Sequence, residues 1–485
     1  MNKTERCKLL DDDLQHALRK ETFDALFAKT VNSHADRLAL EFGGAELTYR
    51  QLEKRVEGLK RFLLSYLGNS SAPVCVFIER KAELAITMMG VLCSGHTYVP
   101  LDPLMPKGRL ESLLELIQPK LILHVDPAPN YLREKWPLVC LSEDMAHEEG
   151  GDRCEPASGG PAYIASPYHR EDLRATPVST AGVLNLLFWT RQHHGIHFED
   201  RIAATMRPGL DASLCEMLTA LLSGASLHFP EESLIRNPTA FIKWLEEKKI
   251  TRLHLPTALT ELMLAEEWPK EHPLKTVFAS GKQLTKKPDG VPFTLINRYG
   301  PAENGFFSFE AKVDPHDSEL IIPIGSAVSN VRWAILDESL QEVEEGKAGQ
   351  LALGGLALID GYYHNEEESQ RSFIVHTRLG RRPERLFLTG DRVRQRKDGL
   401  LEFLGRCRCS PTSGLVDLEC LLGQHPGVKQ VAAKNNSWGE VSVYWVKKPG
   451  IATTSRGLLN FLKGRLSPSR MPRQILELQN MPLDL

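Results

Sequence analysis

Residues 297–303 read Asn-Arg-Tyr-Gly-Pro-Ala-Glu and follow directly on an apolar run, Phe-Thr-Leu-Ile, at 293–296. Such a run reads as a buried strand, and in an open α/β sheet ligands collect at the carboxyl ends of strands. Tyr299 offers a flat face to a ring, Gly300 permits close approach of backbone, and Glu303 can hold a cation. A strand that ends in a Gly-Pro turn is also an ordinary structural device, so this stretch gains weight only from others. Residues 210–216, Leu-Asp-Ala-Ser-Leu-Cys-Glu, place Asp211 ahead of an apolar helix. Asp211 equally fits helix capping there, with Ser213 and Glu216 at capping-box spacing. Residues 193–197, His-His-Gly-Ile-His, gather three imidazoles without a neighbouring acid, which predicts a solvated helix end and not a metal site. Cys407 and Cys409 form the one closely spaced thiol pair and read as ordinary thiols. There is no Gly-x-Ser-x-Gly elbow and no Walker loop.

The elements that must position these residues alternate. Strands are expected at residues 74–78, 98–102, 120–123, 138–141, 162–164, 227–229, 252–255, 276–279 and 293–296, with helices between them: one begun by residues 47–52 with apolar positions at 52, 56, 59 and 63, others at 82–93, 181–190 and 239–249, and one that residues 209–217 lead into and that ends at Gly224. Strand–helix alternation predicts layered, largely parallel sheets, hence an α/β class. From Ile321 onward the strands are expected to be short and the turns frequent, as in a small distorted barrel, with a hairpin turn at Lys397-Asp398-Gly399 joining Val393 to Phe403. A small α+β lobe is expected to follow.

A chain of 485 residues exceeds what one hydrophobic core supports, so two lobes are expected, 1–404 and 405–485. A net charge of -3 gives no electrostatic footprint for nucleic acid. No apolar run is long enough to span a bilayer, and residues 1–15 lack an apolar signal core. Nine scattered cysteines suit a reducing compartment, so the expected location is cytoplasmic.

Seven stretches together resemble the adenylation domains of nonribosomal peptide synthetases, within the acyl-adenylate-forming enzymes: residues 47–52, 95–102, 210–216 with 221–229, 297–303, 349–362, 389–391 and 405–406. They stand in that family's order over nearly the whole chain. The resemblance implies a large N-terminal lobe and a small rotating C-terminal lobe. It also implies activation of an amino acid with ATP and Mg²⁺, followed by transfer to a carrier-protein thiol. Position by position, it implies Tyr299 stacked on adenine, Asp391 and Arg406 at the ribose, and Glu303 on Mg²⁺. It implies Asp211 paired with the substrate ammonium, in a pocket lined by Ala212, Cys215, His254, Phe278, Ser280, Arg298, Phe306 and Phe307. Arg298 either pairs with an acidic substrate side chain or fills the cavity.

The phosphate-handling positions depart from the family. Residues 165–181, where it has a Gly/Ser/Thr-rich loop ending in lysine, contain no glycine and no lysine. Glu171 and Asp172 stand there among Arg170 and Arg174. Ala302 replaces a phosphate-contacting threonine, Lys282 a glutamate, and Arg408 the hinge acid. No lysine follows Lys463, and the sequence stops at residues 482–485, about where the resemblance would soon bring the family's catalytic lysine. The expectation is therefore a degenerate homologue. It keeps AMP or ATP and amino-acid recognition in part and performs little or no adenylation. Its role is that of a binding or scaffold partner for a carrier protein or another synthetase component. The alternative is a divergent working ligase in which Arg170 or Arg174 supplies the missing charge.

Overall fold

In the computed structural model, a nine-stranded sheet carries most of the residues singled out above. Its order is Ser326–Ala327, Phe309–Lys312, Thr294–Tyr299, Thr276–Ser280, Arg252–Pro256, Arg201–Ala203, Ser226–Phe229, Leu38–Phe42 and Ala45–Thr48. The six strands from Thr294–Tyr299 to Leu38–Phe42 run parallel, and both margins turn antiparallel. A six-stranded sheet built on Pro73–Phe77 and Thr97–Leu101 lies in a second layer. The described residues are 18, 20–141, 155–166, 173–319, 321–377, 383–407, 413–423, 425–435, 441–463, 471–479 and 481. Arg170, Glu171, Asp172, Arg408 and Cys409 lie outside them.

Helices fill the space between the sheets because their sequences are apolar nearly all round. In the helix Ala82–Cys93 every residue but Glu83 is buried. The helix Tyr49–Leu67 is amphipathic instead, burying Leu52, Val56, Leu59 and Leu63 on one face. Its start is fixed by a capping box: Thr48 Oγ1 accepts from the Gln51 N–H (3.3 Å) and the Thr48 N–H donates to Gln51 Oε1 (2.8 Å). These helices join both sheets in one core.

The barrel-like layer is an antiparallel five-stranded sheet of Val331–Leu336, Ala348–Gly355, Phe373–His376, Glu384–Gln395 and Leu401–Arg406. Val393 pairs with Phe403 across the expected Lys397–Gly399 turn. Its central strand is 12 residues long, so the expectation of uniformly short strands fails here. Among the described residues the small α+β unit that follows has three strands and two helices, closed over a core of Leu418, Leu422, Val443, Trp445 and Leu458. Among the described residues no helix is long and apolar enough to cross a membrane.

Candidate functional site

Register brings three of the expected residues together. Asp391 lies directly opposite Arg406 in the antiparallel pair of Glu384–Gln395 with Leu401–Arg406. Arg406 Nη1 donates to Asp391 Oδ1 (2.5 Å) and to the Thr389 carbonyl (3.1 Å). Gly390 makes room for this: its φ is +71°, and a Cβ there would meet Arg406 Nη2 at 3.3 Å. Tyr299, the last residue of its parallel strand, donates its hydroxyl to Asp391 Oδ2. Burial and the adjacent carboxylate push the Tyr299 phenol well above its usual range, so it stays a donor. The ring packs at 6.2 Å from Phe309 and 6.4 Å from Phe403. Gly300 is needed for a reason other than ligand approach. A Cβ there would come within 2.5 Å of the chain's own Phe307 Cα and Ser308 N.

The second group grows from three adjacent parallel strands. His254 pairs with Phe278 in register, and Arg298 stands opposite Glu310 in the antiparallel pair beyond them. The Arg298 guanidinium is clasped between the rings of Phe278 (3.8 Å) and Phe307 (4.1 Å), and its Nε donates to Glu310 Oε2 at 3.2 Å. Its side chain is 2% exposed. Cys215, His254, Phe278 and Arg298 line a cavity of about 20 Å³, together with Glu216 and Arg252. That volume is room for about one water in this arrangement. In this arrangement the Arg298 charge is met by an acid of the chain itself, Glu310. His254 accepts or donates at Ser280 Oγ (3.0 Å), and burial, helped by Arg298, pushes its imidazole down to about 3. Burial likewise pushes the Cys215 thiol up to about 11, leaving it unreactive.

Asp211, Ala212, Ser280, Phe306 and Phe307 do not line this cavity, although Ser280 meets His254 and Phe307 meets Arg298 beside it. Asp211 opens the helix Asp211–Leu221 and its Oδ1 accepts from the Ala212 N–H (2.8 Å). The capping box expected with Glu216 does not form. Glu216 turns inward and accepts from the N–H groups of Thr205 (3.2 Å) and Met206 (2.9 Å). Phe306 stacks on Tyr163 at 5.5 Å.

The expected absence of an acid near the histidines fails. Glu310 reaches His194 Nε2 at 3.0 Å and His193 Nε2 at 3.6 Å, and the three ligand atoms lie within 4.8 Å of one another. His194 is not a solvated helix end, since its side chain is 8% exposed. Burial raises and His194 and Arg298 lower the Glu310 carboxyl, with a net result below the usual range. With Arg298 already on the same carboxylate, the cluster is an ion pair braced by imidazole more than a vacant cation site. The separation of 116 residues between His194 and Glu310 hides this contact from local pattern reading.

Glu303 sits in the 3₁₀ turn Ala302–Asn304, its side chain 2% exposed. Tyr362 donates its hydroxyl to Glu303 Oε1 (2.7 Å). Arg174 Nη1 lies 4.0 Å from the same oxygen, donates to the Tyr362 hydroxyl (2.9 Å), and reaches Glu368 through Nη2 (2.8 Å). Magnesium demands near-octahedral oxygen ligands at close range and keeps several waters. A carboxylate this buried, with a phenol on one oxygen and a guanidinium beside it, does not fit that ion as arranged. Lys282, in place of the family's acid, faces Glu419 of the helix Ser413–Gly423 at 3.5 Å. Tyr362, Glu368 and Glu310 are the residues that sequence reasoning missed. Tyr362 lay at the edge of a matched stretch, but no local signal marked Glu368 or Glu310.

A serine–histidine–glutamate relay, Ser226–His228–Glu41, also exists (2.9 and 3.2 Å). All three are buried within the nine-stranded sheet, so Ser226 meets no substrate.

Comparison with known proteins agrees with the architecture. The family described as AMP-binding enzyme matches residues 27–167 and 175–363. The match breaks at 168–174, inside the stretch that lacks the family's glycines and lysine. One component of the linear gramicidin synthase of Brevibacillus parabrevis is 30% identical over 482 residues, covering 94% of this chain and 9% of that protein. The chain thus spans less than a tenth of that relative's length. Two solved structures share the fold, each with a TM-score of 0.78. One is holo-AB3403, a four-domain nonribosomal peptide synthetase bound to AMP and glycine (22% identity; 99% of this chain, 36% of that one). The other is Klebsiella oxytoca NpsA in complex with 3-hydroxyanthranilyl-AMSN (20% identity; 96% of each chain). By its sequence match and its architecture the chain belongs to the AMP-binding enzyme family, as a homologue of the adenylation portions of nonribosomal peptide synthetases.

Proposed function

We propose that this chain is an adenylation-type domain that still recognises a nucleoside but catalyses little or no ATP-dependent adenylation. In this reading it serves as a binding or scaffold component of a cytoplasmic nonribosomal peptide pathway, with a carrier protein or another synthetase component as partner. Residues 1–404 are in this reading the core lobe and 405–485 the small lobe, with Arg406, at the end of the strand Leu401–Arg406, standing at their junction and completing the nucleoside corner. The supporting observation is a split at the end of the strand Thr294–Tyr299. On one side Tyr299, Asp391 and Arg406, the residues that the resemblance puts at base and ribose, meet in a buried corner. On the other, Glu303 is held by Tyr362 and Arg174. Ala302 and Lys282 offer neither the hydroxyl nor the acid of the family pattern. The chemistry of these groups is recognition: Asp391 accepts from ribose hydroxyls, which suits an acceptor-only carboxylate. Removing one donor aimed at transition-state charge costs roughly 10²–10³ in rate, and residues 165–181 and Ala302 lack the glycines, lysine and hydroxyl of the family pattern.

Amino-acid-dependent pyrophosphate exchange tests this reading. The expected result, across the proteinogenic amino acids, is exchange no faster than the control without amino acid. Exchange at the rate of an active synthetase domain assayed beside it would overturn the proposal and favour the divergent ligase that loads a carrier protein.

A further inference from the structure

The carboxylate of Glu303 has a partner of opposite charge supplied by the chain itself. Arg174 approaches from the segment before the helix Thr180–His193, and its guanidinium lies 4.0 Å from Glu303 Oε1 and 2.8 Å from Glu368 Oε1. Its carbon Cζ stands 5.1 Å from the centre of the Tyr362 ring, whose hydroxyl bridges Arg174 and Glu303. Burial and the Glu303 carboxylate push the Tyr362 phenol up, so the hydroxyl is always available to donate to Glu303.

The arrangement is tied down from three directions. The Tyr363 N–H donates to the Ala175 carbonyl (2.8 Å), joining the residues next to Tyr362 and Arg174. The Ile359 N–H donates to the Glu303 carbonyl (3.1 Å), joining the loop before Tyr362 to the turn. The Tyr362 N–H donates to Ser369 Oγ (2.9 Å), one residue along from Glu368 on the helix Glu366–Ser372. Arginine, tyrosine and the two glutamates are therefore positioned by backbone bonds and not by chance meeting of long side chains. A divalent ion on Glu303 Oε1 would have to displace the phenol and would meet the Arg174 charge 4.0 Å away. A guanidinium cannot be deprotonated out of the way near neutral pH.

We propose that Arg174 is the resident counter-ion of Glu303, so that the site takes a nucleoside monophosphate without a divalent metal. This rests on the nucleoside reading for its ligand, but the exclusion of metal from Glu303 stands on the Arg174–Tyr362–Glu303 contacts alone. Two outcomes follow from the geometry. The wild-type protein should not use Glu303 for metal, and shortening Arg174 should expose the carboxylate to one.

Manganese uptake, followed by loss of the free-ion signal in electron paramagnetic resonance, tests this directly on the full chain. Wild type, Glu303→Gln, Arg174→Ala and the double variant are compared, with and without AMP. Wild type and Glu303→Gln are expected to take up the same manganese. Arg174→Ala is expected to gain about one ion per chain, lost again in the double variant. AMP affinity of the wild type is expected to change by less than about twofold between EDTA and magnesium. Wild-type uptake that Glu303→Gln abolishes would overturn the proposal, as would a folded Arg174→Ala that gains none. Should Arg174→Ala fail to fold, the comparison of wild type with Glu303→Gln still decides. Absence of AMP binding in every sample would sink the nucleoside reading, while the manganese comparison would still judge the counter-ion.

Discussion

Arg298→Ala is expected to destabilise the protein by about 3–5 kcal/mol, the usual cost of removing one partner of a buried ion pair. Arg298 and Glu310 are 2% and 8% exposed at the side chain, and sheet register holds them opposite one another. Truncation leaves the Glu310 carboxylate buried and removes the plate clasped by Phe278 and Phe307. The loss has a pH signature. Burial pushes His194 down, Glu310 pulls it up, and Arg298 adds to the downward push. Without Arg298 the imidazole binds its proton more tightly and can serve as the cation beside Glu310. That stabilisation is present at low pH and lost as pH rises through the imidazole's new value, so the deficit should be smaller near pH 5 than near pH 8. Arg298→Lys should recover only part of the loss, because an ammonium lacks the flat face that stacks between two rings. Arg298→Met with Glu310→Gln should recover more, because no unpaired charge remains. Urea unfolding at the two pH values measures all of this. A truncation that costs under about 1 kcal/mol would show that the pair does not hold this region together.

Asp391→Ala is expected to weaken AMP binding by a factor of roughly 100 or more. Two charge-assisted hydrogen bonds to a ribose are worth about 1.5–3 kcal/mol each, and every ~1.4 kcal/mol is tenfold in affinity. Asp391→Asn is the informative companion. It keeps an oxygen for the Tyr299 hydroxyl, yet removes the charge that faces Arg406. It should retain more fold stability than the alanine variant while still losing most of the affinity. Calorimetry with AMP, read beside thermal melts, separates the two effects. Undiminished AMP affinity in either folded variant would remove Asp391 from the site.

The parallel core was legible because short apolar runs and period-3.6 apolar patterns are local. The strand through Tyr299 and the helices Ala82–Cys93 and Thr180–His193 stand within a few residues of where the pattern puts them. The meeting of Tyr299, Asp391 and Arg406 was foreseen only through resemblance, since Tyr299 and Asp391 are 92 residues apart. What escaped was pairing. Whether Arg298 faces a substrate acid or an internal one depends on the register of the hairpin that brings Glu310 opposite, which composition does not determine. Glu216 matched a capping box by spacing, but the backbone of Thr205 and Met206 offered a buried carboxylate better partners than a helix start. Arg174 was noticed for its charge, yet its contact with Tyr362 spans 188 residues.

Titration of the protein with AMP and with ATP plus magnesium, in parallel calorimeter cells, bears most directly on the central claim. If recognition ends at the sugar and first phosphate, the two affinities should agree within about threefold, each collapsing in Asp391→Ala. A magnesium-dependent preference for ATP of about a hundredfold or more would mean that the outer phosphates are bound after all, and the account would be wrong.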